Sequence, residues 1–475
     1  MELKIAVISA FALMIIIVGV LGMRKTKSFA DFFLGGRSVG PWMTAFTYGT
    51  AYFSAVLFIG FAGKVGWGFG YSSLWIAAGN AAIGVFLVWR LLGARIRQMS
   101  IDYDVHTMPE YFEKRYDSKF FKLFSSICIF VFFVPYTAAV FMGLSYLFRS
   151  TFNMDYTMAL LFMGVFTAIY LVLGGYKSMT MIDVAFGIIM ALGVVVLLYS
   201  TIDVGGGLAN ITAGMKKINP GLVGIVGPPG WWPLFSLVFL TSVATLAMPQ
   251  LVQKFYAIKD NRSIRVGMFA STFFAVLITG IGYFTGATTR FFLSPENAPA
   301  AFEDGQPIFD ALMPELLESV IPEALSVLIL LLILAASMST LAALVLISSS
   351  SIAKDFYAGF INPKVSDRNL TLLMRICSAV FVLFSVIVAY FKPATIVAVL
   401  GISWGAIGSV FLGPFIWGLF TKRANKIGAI TSSVIALTVC LYLYIDGMQS
   451  PQAGTIGMMV SLALTPIVSL VTPSH

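Results

Sequence analysis

The sequence predicts an all-α integral membrane protein with thirteen transmembrane helices. Three observations lead there. Of 475 residues, 59% are hydrophobic and 11% charged, with a mean hydropathy of +0.92, a composition foreign to soluble domains. Thirteen stretches carry no charged residue over lengths near or above the ~20 residues that cross a bilayer as a helix. Basic residues also alternate between successive connections, as the positive-inside rule requires.

In order, the stretches are Ile5–Met23, Ser38–Gly63, Val65–Trp89, Leu123–Phe148, Tyr156–Tyr176, Val184–Ile202, Pro220–Gln253, Val266–Thr289, Ala324–Ala353, Ile376–Phe391, Pro393–Thr421, Ile427–Ile445 and Gly447–Ser474. Ile376–Phe391 is short and is expected to begin earlier, with Arg375 snorkelling. The first stretch is read as a retained span. Its apolar run is long for a signal peptide, and the cluster Arg24, Lys25 and Lys27 follows it rather than precedes it. With that cluster inside, the N-terminus lies outside and the C-terminus in the cytoplasm. Inner connections then hold 23 Lys and Arg, and outer ones seven: Lys4, Lys64, Arg149, Lys216, Lys217, Arg290 and Lys392. The net charge of +9 therefore reflects orientation rather than a nucleic-acid surface.

Other classes find little support. Cys128, Cys377 and Cys440 are isolated, and the two histidines are His106 and His475, so neither a metalloenzyme nor a thiol enzyme is indicated. No GxxxxGK[ST] phosphate loop is present. The longest polar connections, 90–122 and 290–323, are too short for a soluble domain of ordinary size. The second is acidic (Glu296, Glu303, Asp304, Asp310, Glu315, Glu318, Glu323), either a solvated outer loop or one that concentrates cations. Residues 105–122 mix aromatics with charges and are expected to form a short amphipathic helix lying on the membrane surface.

Two spans read as broken. The second opens with Gly40-Pro41 and carries Gly49, Gly60 and Gly63; the seventh carries Thr241, Ser242 and Thr245 ahead of Pro249. A break frees backbone groups that must be satisfied again by a cavity, a ligand or an ion. The broken spans are five apart, so spans 2–6 (about 38–202) and 7–11 (about 220–421) are expected to be inverted five-helix repeats, with 5–23, 427–445 and 447–474 peripheral. That organisation points to a secondary transporter, all 475 residues forming one membrane domain.

The ninth span holds Ala336, Ser339 and Thr340 on one helical face. Hydroxyls there either serve helix packing or, with a carbonyl, make an oxygen site for a small hard cation.

Six strings together resemble the sodium:solute symporter family: Asp31 to Pro41 (DFFLGGRSVGP); Thr107 to Phe112 with Arg115-Tyr116; Gly174-Gly175-Tyr176 with Asp183; Pro249 to Ala257 (PQLVQKFYA); Ala335 to Thr340 with Ser348–Ser351 and Lys354 to Tyr357; and Gly413-Pro414 with Arg423-Ala424-Asn425 and Gly428-Ala429. The resemblance implies a leucine-transporter-type core and sodium-driven uptake. It implies sodium ligands at Thr50 and Phe53 (carbonyls), Ala336 (carbonyl), Ser339 and Thr340 (hydroxyls), five neutral oxygens and no carboxylate. It also implies an inward sodium path past Asp183, near the cytoplasmic end of the sixth span. Arg37 is divided between a functional role and ordinary cytoplasmic anchoring. Tyr52 departs from the family, whose proline-type members place an aspartate there.

Substrate contacts are expected from Tyr52, Ser54, Tyr136, Thr241, Thr245, Pro249 and Trp404, the aromatics being equally open to plain core packing. Proline-type members carry Trp and Tyr where this chain has Thr241 and Thr245, which implies a differently shaped pocket. Helix N-termini at the breaks favour a carboxylate, so an amino acid or organic acid is expected before a sugar. The expected function is a sodium-coupled symporter of the cell membrane working by alternating access. Its expected partners are a small solute and the lipid bilayer, with Na+ as coupling ion, no organic cofactor and no nucleic acid, in a chain acting as a monomer. The alternatives are a proton-coupled transporter of the same fold and a transporter-like membrane sensor.

Overall fold

The computed structural model describes residues 2–25, 33, 39–173 and 176–472. The string Asp31 to Arg37, apart from Phe33, and the pair Gly174-Gly175 lie outside the described residues. Among the described residues, eleven helices are long and apolar enough to cross a membrane, and a shorter apolar helix covers Tyr156–Ile169. The principal helices are α1 (Glu2–Lys25), α2 (Pro41–Tyr52), α3 (Met108–Tyr116), α4 (Lys119–Phe152), α5 (Tyr156–Leu173), α6 (Tyr176–Val204), α7 (Trp231–Val243), α8 (Pro249–Tyr256), α9 (Asn261–Ala287), α10 (Phe309–Val320), α11 (Glu323–Ser350), α12 (Asp367–Phe391), α13 (Ile396–Phe420), α14 (Lys426–Ile445) and α15 (Ser450–Val471).

The 47-residue stretch Val56–Asp102 folds back on itself at Gly70, whose φ of +59° suits a residue without Cβ. Its first half climbs along α9, Phe58 meeting Gly282 and Gly66 meeting Gly286. Its second half returns down the same helix, from Ser73 beside the Tyr283 carbonyl to Trp89 against Gly267 and Gly93 against Ile264. A Cβ on Gly66 would overlap the Gly286 backbone, so this pair of glycines sets how closely the helices approach.

Both expected breaks are present. α2 ends at Tyr52, Phe53 is extended (φ −111°, ψ 129°), and helix resumes as a π-helical turn at Val56–Phe61. α7 ends at Val243, passes through a 3-10 turn at Ala244–Ala247, and restarts as α8 with Pro249 at its first position, where proline costs no hydrogen bond. The two broken helices are also pinned at their far ends. The Val39 N–H donates to the Ala257 carbonyl, and the Lys259 N–H donates to the Val39 carbonyl, each at 3.2 Å.

Several boundaries move. Helix α7 begins at Trp231, not Pro220, because Pro220–Val223 forms a separate 3-10 turn. Helix α12 begins at Asp367, so the short tenth stretch does extend past Arg375. The segment 105–122 is not one surface helix. A capping box built by Thr107 and Glu110 starts α3, and Asp117, in the left-handed conformation, ends it. Its aromatic face is covered by protein rather than left for lipid: Phe112 stacks on Phe411, and Tyr116 donates to the Pro414 carbonyl at 2.6 Å. Arg115 reaches the carbonyls of Gly418 and Thr421 at the end of α13, satisfying acceptors the helix terminus leaves free.

Candidate functional site

A helix that stops inside apolar surroundings leaves the carbonyls of its last turn without intrahelical donors. In α2 these belong to Gly49–Tyr52, and α11 supplies what meets them. The Thr340 hydroxyl lies 3.5 Å from the Thr50 carbonyl, 3.3 Å from that of Ala51 and 3.1 Å from that of Ala336. Ser339 Oγ lies 2.9 Å from Thr50 Oγ1. One turn earlier, Ser337 Oγ accepts the Ala55 N–H at 3.0 Å, so the same face of α11 also anchors the restart of the broken helix. Thr50, Ser337, Ser339, Thr340 and Ala336 are all buried. Four of the five expected sodium ligands thus converge. Phe53 sits at the break itself with its ring stacked on Tyr52, and the Ala51 carbonyl is an additional oxygen that sequence reasoning missed.

Behind the five neutral oxygens the cluster has an acidic neighbour. Ser339 Oγ donates to Asp183 Oδ1 at 2.7 Å, so an acid touches the cluster directly. The physical reason is the start of α6. The helix begins at Tyr176, which places Asp183 two turns inside it rather than at its end, level with the α2 break. Lys254, counted from the sequence among loop charges, is likewise buried. It sits in α8 as the cation whose field acts on Asp183.

The expected substrate residues divide. Tyr52, Ser54, Tyr136, Thr241 and Trp404 line one cavity of about 30 Å³ together with Phe53, Val56, Leu57, Phe61, Asn80, Tyr283 and Leu400. Tyr52 Oη donates to the Thr241 carbonyl at 2.7 Å, tying one broken helix to the other. The Tyr52 and Trp404 rings stack at 6.2 Å, and Tyr136 meets Trp404 edge-on at 5.7 Å. Thr245 lies just behind, donating to the Ser242 carbonyl at 2.7 Å. Pro249 is not part of this cavity. It lines a separate one of about 10 Å³ with Gln253, Thr107 and Asp355, because the 3-10 turn before it breaks the four-residue face that would have aligned it with Thr241. Asn80 and Tyr283 were missed, although Asn80 stands out as a lone amide in the third apolar stretch. The amides of Ala55 and Val56 are taken by Ser337 and by Ser54 Oγ, so the helix restart offers less to a carboxylate than the sequence suggested.

This constellation of two broken helices, a hydroxyl pair and an aromatic cavity lies within residues 32–436, which match the sodium:solute symporter family. The chain belongs to the sodium:solute symporter family. An osmoregulated proline transporter of Bacillus subtilis is 28% identical over 469 residues, covering 96% of this chain and 92% of its own. A sodium/proline symporter of Haemophilus influenzae is 30% identical over 439 residues, covering 89% and 85%. Among solved structures, a substrate-bound, outward-open Na+-coupled sialic acid symporter aligns with a TM-score of 0.84 at 18% identity, over 99% of this chain and 98% of that one. MhsT in complex with L-phenylalanine aligns with a TM-score of 0.51 at 15% identity, over 90% and 97%. These neighbours place the symporter in the leucine-transporter fold. It is a multi-pass transporter of the plasma membrane and not an enzyme, and sodium coupling follows from its family.

Proposed function

We propose that this symporter imports a small neutral amino acid, L-proline being the first to test, by sodium-driven alternating access. The observation that carries the reading is the meeting of Ser339 and Thr340 with the frayed end of α2. Sodium binds among the Thr50, Phe53 and Ala336 carbonyls and the Ser339 and Thr340 hydroxyls. Asp183 sits against Ser339 and supplies the negative charge that offsets the ion's on its way inward. The solute occupies the cavity between Tyr52, Ser54, Tyr136, Thr241 and Trp404, whose rings suit an apolar body. At about 30 Å³, room for one water, that cavity widens before it admits a solute. Filling both sites holds α2, α7 and α11 together, so sodium and solute favour the same conformation, the condition for coupling.

In this reading the Val56–Asp102 hairpin counts as two spans and α5 as one, giving thirteen, with the N-terminus outside and the C-terminus in the cytoplasm. Spans 2–6 and 7–11 form the inverted repeats, and one chain is the transporting unit. Relatives named for proline support the solute class, and Thr241 and Thr245 reshape the pocket.

The test is uptake into proteoliposomes of L-[14C]proline, [14C]pyruvate and [14C]glucose under an imposed sodium gradient or an imposed proton gradient. Proline uptake following the sodium gradient is expected. Uptake that ignores sodium and follows protons would overturn the coupling, and preference for glucose would overturn the cargo.

A further inference from the structure

A cavity of about 730 Å³ opens on the face that carries Lys64 and Arg290, away from α3. It lies directly over the aromatic cavity. On three elements the two are one turn apart: Lys64 and Val65 line the outer cavity and Phe61 the inner, Leu237 the outer and Thr241 the inner, Val397 the outer and Leu400 the inner. The outer cavity is therefore a vestibule closed at its floor by a layer of apolar side chains.

Its charges are all of one sign. Lys64 and Arg290 line it together with Gln306, Gln449 and Gln452, and none of its lining residues is Asp or Glu. Two acids of the 290–323 connection, Glu318 and Glu323, line a different cavity of about 340 Å³. Lys64 is partly spoken for. Its Nζ donates to Thr395 Oγ1 at 3.0 Å and feels the buried Asp310 carboxylate behind it. Arg290 has no such partner: among the described residues no carboxylate lies within ion-pair distance and its buried Nε has no acceptor. Its guanidinium rests on the face of Trp67 at 4.8 Å, which holds the planar fork in one orientation. A pre-oriented guanidinium in a half-enclosed space suits a single carboxylate, taken by two parallel N–H donors.

We propose that this vestibule is an outer binding site for monocarboxylates, in which Arg290 takes the solute's carboxylate before the floor opens and Lys64 supplies a second positive charge. The proposal rests on the solute class above, since a carboxylate-bearing cargo gives the site its use. It also assigns carboxylate selection to the vestibule, where the inner cavity has its first helix amides already occupied.

The test separates the vestibule from transport. The three native cysteines are buried, so Gln449→Cys takes an environment-sensitive fluorophore at the vestibule rim. Without sodium, potassium propionate is titrated against potassium chloride at equal ionic strength, with propionamide as the uncharged probe. A saturable response to propionate alone is expected, weakened at least about tenfold by Arg290→Gln, the effect of losing one strong charged contact, and only partly restored by Arg290→Lys, which keeps the charge but loses the planar fork. The same response in Arg290→Gln, or to propionamide, overturns the proposal. In uptake, Arg290→Gln raises KM and leaves kcat and sodium dependence unchanged. Absence of proline uptake in the wild type would sink the cargo reading while leaving the propionate titration to decide the site.

Discussion

The hydroxyl of Tyr52, the last residue of α2, donates a 2.7 Å hydrogen bond to the carbonyl of Thr241 in α7, so the two broken helices are joined beside the cavity they enclose. Tyr52→Phe keeps the ring stacked on Trp404 and removes only this bond. A buried hydrogen bond of this kind is worth about 1 kcal/mol, which sets the expected rise in KM for proline at about fivefold, with kcat nearly unchanged. Kinetics in proteoliposomes measure it. An unaltered KM would show that the tie between the helices does not help shape the solute site.

Ser339→Ala with Thr340→Ala removes both hydroxyls facing the frayed end of α2 while leaving the α11 backbone intact. Half-maximal uptake should then require on the order of tenfold more sodium, equivalent to about 1.4 kcal/mol. Asp183→Asn should act in the same direction, because the Ser339 hydroxyl bonds its carboxylate and charged acceptors make stronger bonds. Unchanged sodium dependence in a folded double variant would return these hydroxyls to packing.

These two sites show which side chains the sequence makes visible and which only the fold brings in. Thr50, Ser339 and Thr340 were legible because hydroxyls in an apolar run stand out and because helical periodicity puts them on one face. The breaks were legible through Gly and Pro. Asp183 was misplaced because hydropathy locates a span only where charge is absent, so an acid inside a helix is read as the helix's end. Lys254 was lost to the same rule. Pro249 failed for a different reason: a 3-10 turn advances the chain at three residues per turn, and a face drawn at the α-helical period does not survive it. The vestibule cations were invisible as a pair, since Lys64 and Arg290 are more than 200 positions apart and only the fold of Val56–Asp102 along α9 brings them together.

Helix α3 offers a test of the opposite face. Thr107 caps it, accepting the Glu110 N–H, and donates to Asp355 Oδ1 at 2.6 Å, while Glu110 pairs with Lys354 at 3.1 Å. Burial alone would raise the Glu110 carboxyl, but the Lys354 ammonium and the His106 amide outweigh it and hold it below its ordinary range. Thr107→Ala should lower stability by about 1–2 kcal/mol, the usual loss for an N-cap, and Thr107→Ser should recover most of it. Thermal unfolding in detergent measures both. Equal melting temperatures for wild type and Thr107→Ala would mean that neither bond holds α3 in place.

The Asp310 carboxylate accepts the Ile396 N–H with both oxygens, at 3.0 and 3.3 Å, at the start of α13. Burial raises its pKa from 3.8 to about 6, against the opposing pull of that N–H and of Lys64. A pKa raised on folding means the native state holds a proton that the unfolded chain has released. The associated stability is therefore fully present below pH 3.8, and it is lost as pH rises through about 6. A rise of that size corresponds to at most about 3 kcal/mol. Asp310→Asn removes the titration, so its melting temperature should depend less on pH between 4 and 7, and the wild type should lose relative stability across that window. The variant keeps one acceptor for the Ile396 N–H, which separates loss of the proton from loss of the cap. Parallel melting curves for the two proteins from pH 4 to 7 would show that Asp310 stays ionised in the fold, with Lys64 rather than a proton as its partner.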